Sequence, residues 1–212
     1  MTAPILILGA TSGIGASAAK EATSRSLPVR AFARGAHKLD AADLVEPFPG
    51  DALDHGSVEA ALSGVRAVIY ALGIKERLSM LWEEETLFSE TTRVLIPAMN
   101  NANVKRLVVV TGFGAGRSKS AMSRIERLGH RAILGRPYAD KDRQEALVME
   151  SDLDWTIARP VILTNGSAAA PKVLREPHEW RNGLISRAAV ATYLLDAIEN
   201  DLDIRSDVVL AR

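Results

Sequence analysis

Residues 9–15 read Gly-Ala-Thr-Ser-Gly-Ile-Gly, and no other stretch of the chain carries as much chemistry. Four apolar residues, Ile5 to Leu8, lead into Gly9, Gly13 and Gly15, and an alanine-rich stretch from Ala16 to Ala22 follows. That order predicts a buried strand, a tight turn and a helix start. Glycines let the backbone turn sharply and let a pyrophosphate approach the helix N-terminus. Unpaired N–H groups and the positive end of the helix dipole favour an anion there. The strand before and the helix after are the context that gives such a motif its meaning.

Further candidates lie where successive strands should end. The second strand closes with Arg30-Ala31-Phe32-Ala33-Arg34. Dinucleotide folds place an acidic residue about 20 positions past the glycine turn to hold the ribose hydroxyls. Here that place holds Arg34, and no carboxylate follows until Asp40. A guanidinium takes a ribose 2′-phosphate bidentately, so the position points to NADP, with NAD as the other possibility. Asp51, after Pro49-Gly50, is explained by turn chemistry alone, with a second role left open. Ala71-Leu72-Gly73 ends another strand with residues small enough for a cofactor to lie against. Thr111-Gly112-Phe113-Gly114-Ala115-Gly116-Arg117-Ser118 belongs at a ligand site, because open α/β sheets bind ligands beyond the carboxyl ends of their strands. Its glycines predict mobility or close approach, and its arginine an anionic group.

The elements that must position these residues alternate. Apolar runs predict strands at Ile5–Leu8, Val29–Ala33, Leu44–Phe48, Ala67–Leu72, Leu107–Val110, Asp154–Ala158 and Asp207–Leu210. Helices are expected at Val58–Leu62, Leu81–Met99, Asp140–Glu150 and Arg187–Asn200. Strands separated by helices predict an α/β fold, a doubly wound parallel sheet of Rossmann type, as one domain over residues 1–212.

Composition narrows the function classes. With 26 basic and 26 acidic residues, nothing favours nucleic acid or an anionic membrane as partner. The chain has no cysteine, which removes disulfides and thiol nucleophiles. No apolar run approaches the roughly 20 residues that span a bilayer, and no signal-peptide pattern opens the chain. A cytoplasmic protein is expected. The four histidines lack ligand spacing, so no metal is expected either. Glu83-Glu84-Glu85 reads as a helix N-terminal turn, and Trp82 and Trp180 as packing residues.

The GxxxGxG spacing, with Thr11 and Ser12 inside the turn, resembles the cofactor loop of the short-chain dehydrogenase/reductase superfamily. The resemblance makes Thr11, Ser12, Gly13 and Ile14 the phosphate contacts, and Asp51 with Ala52 the adenine contacts. It also places Thr111 where the superfamily has a serine or threonine that polarises a carbonyl. Lys141, Glu145 and Trp155-Thr156-Ile157-Ala158-Arg159-Pro160 are similar to a compact atypical branch. That branch holds NmrA-type proteins, flavin and biliverdin reductases and small NAD(P)-binding proteins.

Typical members of the superfamily carry Tyr-x-x-x-Lys, and counted back from Lys141 that tyrosine position holds Pro137. Tyr138 is one residue out. In a helix this shift turns the side chain by about 100°, onto another face. If the helix starts after Tyr138, the phenol reaches the site. The reading therefore leaves Lys141 to hold the nicotinamide ribose or to act alone. What the resemblance implies is an NADPH-using reductase of a small carbonyl, quinone or flavin acceptor. The other class it allows is a redox sensor of the NmrA kind, which reports NADP occupancy to a protein partner.

Overall fold

The computed structural model describes residues 2–39, 41–73 and 85–212, with residues 130–134 described by their backbone alone. The chain runs β1 (Ile5–Leu8), α1 (Gly13–Ser24), β2 (Val29–Ala33), β3 (Val45–Pro49), α2 (His55–Leu62) and β4 (Ala67–Tyr70). It continues with α3 (Leu87–Asn101), β5 (Arg106–Val110), α4 (Arg124–Met149), β6 (Asp154–Pro160), β7 (Ile162–Thr164) and β8 (Lys172–Leu174). The last elements are β9 (Leu184–Ser186), α5 (Arg187–Glu199) and β10 (Ser206–Ala211). The predicted start of α3 at Leu81, and with it Trp82, Glu83 and Glu84, lies outside the described residues.

Eight strands form one sheet in the order β3-β2-β1-β4-β5-β6-β10-β8, and β7 pairs with β9 in a separate ribbon. All main-sheet pairings are parallel except β10 with β8. Strand order reverses between β1 and β4, the point where open α/β sheets bind their ligands. The central strands are buried on both faces, as expected of apolar runs in a parallel sheet. Ile5, Ile7, Val108 and Val110 pack towards α1 and α5 on one side. Leu6, Leu8, Val109 and Ile157 pack towards α2, α3 and α4 on the other.

The edges of the sheet are treated differently. Val29 N–H donates to Leu44 O at 2.8 Å and Gly50 N–H to Ala33 O at 3.3 Å, so the even-numbered residues of this stretch face β2. Pro47 and Pro49 therefore stand on the outer side of β3, where the missing N–H costs no ladder bond. β8, at the opposite edge, is three residues long and opens with the exposed Lys172.

The largest difference from the predicted elements is α4. It begins at Arg124, not at Asp140, and Pro137 lies inside it. Ser123 starts it with a capping box, its hydroxyl accepting from Glu126 N–H while the Glu126 carboxylate accepts from Ser123 N–H. The short strands β7, β8 and β9 were also outside the predicted set, each being only three residues long.

Candidate functional site

The turn after β1 is built by two glycines and left open by a third. A Cβ on Gly9 would lie 2.6 Å from Ala71 O, and Gly9 has a φ of +86°. Ala71 N–H donates to Leu8 O at 3.0 Å, so the ends of β1 and β4 meet at this glycine. A Cβ on Gly15 would strike Gly9 O. Gly13, at φ +58°, is different: a Cβ there would meet no heavy atom within 4 Å. Beside that open space stands the N-terminus of α1. Ser12 is its N-cap but makes no side-chain cap bond, and the first turn carries no acidic residue. Thr11, Ser12 and Gly13 are exposed and Ile14 is half-buried. Unpaired N–H groups, free hydroxyls and no opposing charge fit a phosphate-bearing cofactor.

Valine at Gly13 fills the open side and places a β-branched residue in the left-handed region. Gly13→Val is expected to remain folded at a cost of about 1–2 kcal/mol and to lose dinucleotide binding. Circular dichroism with titration calorimetry checks this. Undiminished affinity in a folded variant refutes the assignment of the turn.

Arg34 is exposed one residue beyond β2 and forms no ion pair among the described residues. Asp51 sits beyond β3, where its Oδ1 accepts from Leu53 N–H at 3.0 Å. The turn reading of Asp51 is thus realised, with the carboxylate still exposed, while the Ala52 side chain is buried. Leu72 is half-buried and Gly73 exposed at the end of β4.

The second half of the site lies where α4 crosses the end of β5. The Lys141 ammonium donates to Thr111 O and lies 5.1 Å from the Phe88 ring centroid and 5.3 Å from that of Tyr138. A Cβ on Gly112 would come within 2.5 Å of the Tyr138 hydroxyl, so the phenol rests on the bare backbone of the β5 loop. Burial pushes the Lys141 ammonium down to about 8, against the opposing pull of the Glu145 carboxylate. Burial, reinforced by Glu145, pushes the Tyr138 phenol up to about 12.

This corrects the expectation that a helical Tyr138 faces elsewhere. The segment is helical throughout, and Tyr138 still meets Lys141. Residues three apart on a helix are neighbours as surely as residues four apart. Lys141 has charged neighbours in the sequence, yet its ammonium turns inward onto Thr111 O. Its neighbour Asp140 is fully buried and accepts from Phe88 N–H at 2.8 Å and Ser89 N–H at 3.3 Å, capping α3 from α4.

Thr111 is 4% exposed, and its Oγ1 donates to Glu145 Oε1 at 2.7 Å. Its proton is spent inward, so carbonyl polarisation by Thr111 would break that bond. Behind it runs a buried charge network. Arg159, fully buried, donates through Nε at 2.9 Å and Nη2 at 2.7 Å to Glu145, and through Nη1 to Asp207. Arg117 closes the chain on Asp207, and Trp180 stacks against both guanidinium groups at 5.4 Å. The anion predicted for Arg117 is therefore Asp207 of this chain. Gly116 carries no side chain because a Cβ would strike the Glu145 carboxylate.

Sequence reasoning missed Phe88 and Asp207 as parts of this region, and it quoted Gly112 and Arg159 within motifs without giving either a role of its own. The signals were the loop glycines and the spacing of Glu145 four residues after Lys141. Among the described residues, no group of three or more His, Cys, Asp or Glu is placed to hold a metal, and no helix is long and apolar enough to cross a membrane.

An open glycine turn at the reversal of strand order, with a basic residue beyond β2, defines a dinucleotide-binding domain of Rossmann type. The profile of the NAD(P)H-binding family matches residues 9–201, and the chain belongs to that family. The resemblance to the compact short-chain dehydrogenase/reductase branch is consistent with this membership. Among solved structures, ChuY of Escherichia coli, an anaerobillin reductase, is 26% identical, with 98% of this chain and 96% of that one covered at a TM-score of 0.77. A short-chain dehydrogenase/reductase of Veillonella parvula in complex with NADP is 16% identical, with 100% and 95% covered at a TM-score of 0.83, a likeness of fold. No curated protein matches the sequence.

Proposed function

We propose that this protein is a reductase that uses NADPH to reduce a small carbonyl, quinone or flavin acceptor. The observation that carries the reading is the pairing of Tyr138 and Lys141 over Gly112, at the carboxyl end of the strand next to the one that meets the glycine turn. Bound there, the dinucleotide supplies hydride. The protein's part is to bind, orient and move a proton. Thr11, Ser12 and the backbone of Gly13 and Ile14 hold the phosphates, with Gly9 and Gly15 shaping the turn. Asp51, Ala52, Ala71, Leu72 and Gly73 line the path of the adenosine and ribose. Tyr138 gives its phenolic proton to the reduced acceptor, and Lys141 supports it with a cation. Thr111 serves as a brace.

Purified protein assayed for NADPH oxidation across quinones, flavins, aldehydes and anaerobillin tests the proposal. Sustained turnover with one class supports it. Binding of NADPH without turnover on any acceptor overturns it and favours the non-catalytic redox sensor, with a protein partner in place of a small-molecule one.

Arg34 sets the choice between the two dinucleotides in this reading. Arg34→Ala is expected to weaken NADPH binding by roughly 1–3 kcal/mol, the range for a charge-assisted hydrogen bond, with NADH almost unaffected. Calorimetric titration with both cofactors decides it. Equal losses for the two remove the 2′-phosphate role.

A further inference from the structure

We propose that Glu145 is a positioning residue: anchored by Arg159, its carboxylate locks Thr111, whose carbonyl holds the Lys141 ammonium beside Tyr138, and supplies the negative charge that faces that ammonium. The inference rests on the reductase reading for its catalytic meaning, but its geometry stands apart from that reading. One residue, Thr111, is held at three points. Its N–H donates to Ala158 O at 3.0 Å, its hydroxyl to Glu145 Oε1 at 2.7 Å, and its carbonyl receives the Lys141 ammonium. The carboxylate that grips the side chain is itself gripped by Arg159 through both of its oxygens. A rotation of the Glu145 carboxylate would thus be felt at the carbonyl that seats Lys141.

Of the nearby carboxylates, Glu145 is the one whose partners lead to Lys141, with Arg159 behind it and the Thr111 hydroxyl in front. Asp140 is spent on the N-terminus of α3 and on Arg143. Asp142 is spent on Gly116 N–H at 2.7 Å and on Lys119. Phe88 and Tyr138 present ring faces to the ammonium. Glu145 lies one helical turn beyond Lys141, and the backbone of Gly116 presses against its carboxylate. In so dry a setting its charge, though paired with Arg159, is still felt by the Lys141 ammonium.

The test is a titration of Lys141 in the cofactor-free protein, read by NMR of lysine labelled at Cε, with the signal assigned by Lys141→Arg. Glu145→Gln preserves shape and an acceptor for Thr111 while removing the charge. The Lys141 midpoint, about 8 in the native chain, is expected to fall by roughly one unit or more. Should Glu145→Gln fail to fold, the pair Glu145→Gln with Arg159→Met leaves no lone guanidinium and is expected to lower the midpoint in the same direction by less, because a cation goes with the anion. An unchanged Lys141 midpoint in either folded variant overturns the proposal, whatever happens to stability. For the brace, Thr111→Val is expected to lower kcat about tenfold with KM for NADPH unchanged, and Thr111→Ser to restore it. Equal rates for valine and wild type overturn the bracing role. The NMR titration needs neither cofactor nor acceptor, so its failure is distinguishable from failure of the reductase reading.

Discussion

Tyr138→Phe is expected to slow acceptor reduction by about 10²–10⁴-fold while dinucleotide affinity stays near wild type, the usual scale for loss of a positioned general acid. Phenylalanine keeps the ring beside Lys141 and removes only the hydroxyl over Gly112. With the phenol pushed up to about 12, the donor keeps its proton throughout the neutral range. The pH dependence then belongs to Lys141. Its ammonium, pushed down to about 8, is charged below that pH and neutral above it, so kcat/KM should fall as pH rises through about 8. Stability runs the other way. Between about 8 and the ordinary lysine value of about 10.4, the unfolded chain holds a proton that the folded chain has released. Stability contributed by this group therefore rises with pH across that window, and below it burial of the ammonium is a full cost. Lys141→Met should be inactive yet more stable at pH 7, a trade-off typical of catalytic positions. Stopped-flow kinetics and urea melts of the two variants check both halves. Full activity in Tyr138→Phe excludes the phenol as proton donor.

Arg159→Leu is expected to destabilise the fold by about 3–5 kcal/mol, because it strands two carboxylates in the interior. Glu145 and Asp207 are 1% and 5% exposed, and each loses its buried guanidinium partner in this variant. Asp207 keeps Arg117, whose side chain is largely exposed, whereas Glu145 retains the Thr111 hydroxyl and the more distant Lys141 ammonium. The urea midpoint is the measurement, and a shift equivalent to under about 1 kcal/mol removes the network from the account of stability. Burial opposes the charge on Asp207, yet Arg117 and Arg159 together hold its carboxyl below the usual range. That contribution is present above the unfolded carboxylate value near 3.9 and is lost as pH falls through the lower folded value. Arg159→Leu should accordingly flatten the acid limb of the stability profile.

The glycine turn, the alternation of strands and helices and the NAD(P)H-binding class were legible because each rests on local pattern. Apolar runs, turn glycines and their sequence separation are all visible without coordinates. The first half of α4 was not legible for a physical reason. Ile125 and Leu128 point outward, 85% and 73% exposed, and Gly129, Gly135 and Pro137 interrupt any apolar period. A capping box, rather than amphipathicity, marks where that helix begins. The charge network was hidden by distance along the chain, since Arg159 meets Asp207 across 48 residues. Tyr138 was misjudged by demanding one helical spacing where two bring side chains together. Asp140 reads in sequence only as the start of a helix, and the packing of α3 on α4 makes it an internal cap.

The two rims of the main sheet bear on how this protein behaves in concentrated solution. A chain whose basic and acidic residues cancel has no net repulsion to keep its copies apart near neutral pH. An open strand rim would then recruit a second copy by backbone pairing. Pro47 and Pro49 deny donors along one rim, and the other is cut to three residues and guarded by Lys172. Resistance to edge pairing is thus expected from strand chemistry, with Lys172 the one charge that takes part. Replacing those two prolines with valine is expected to raise turbidity as concentration increases, with circular dichroism unchanged.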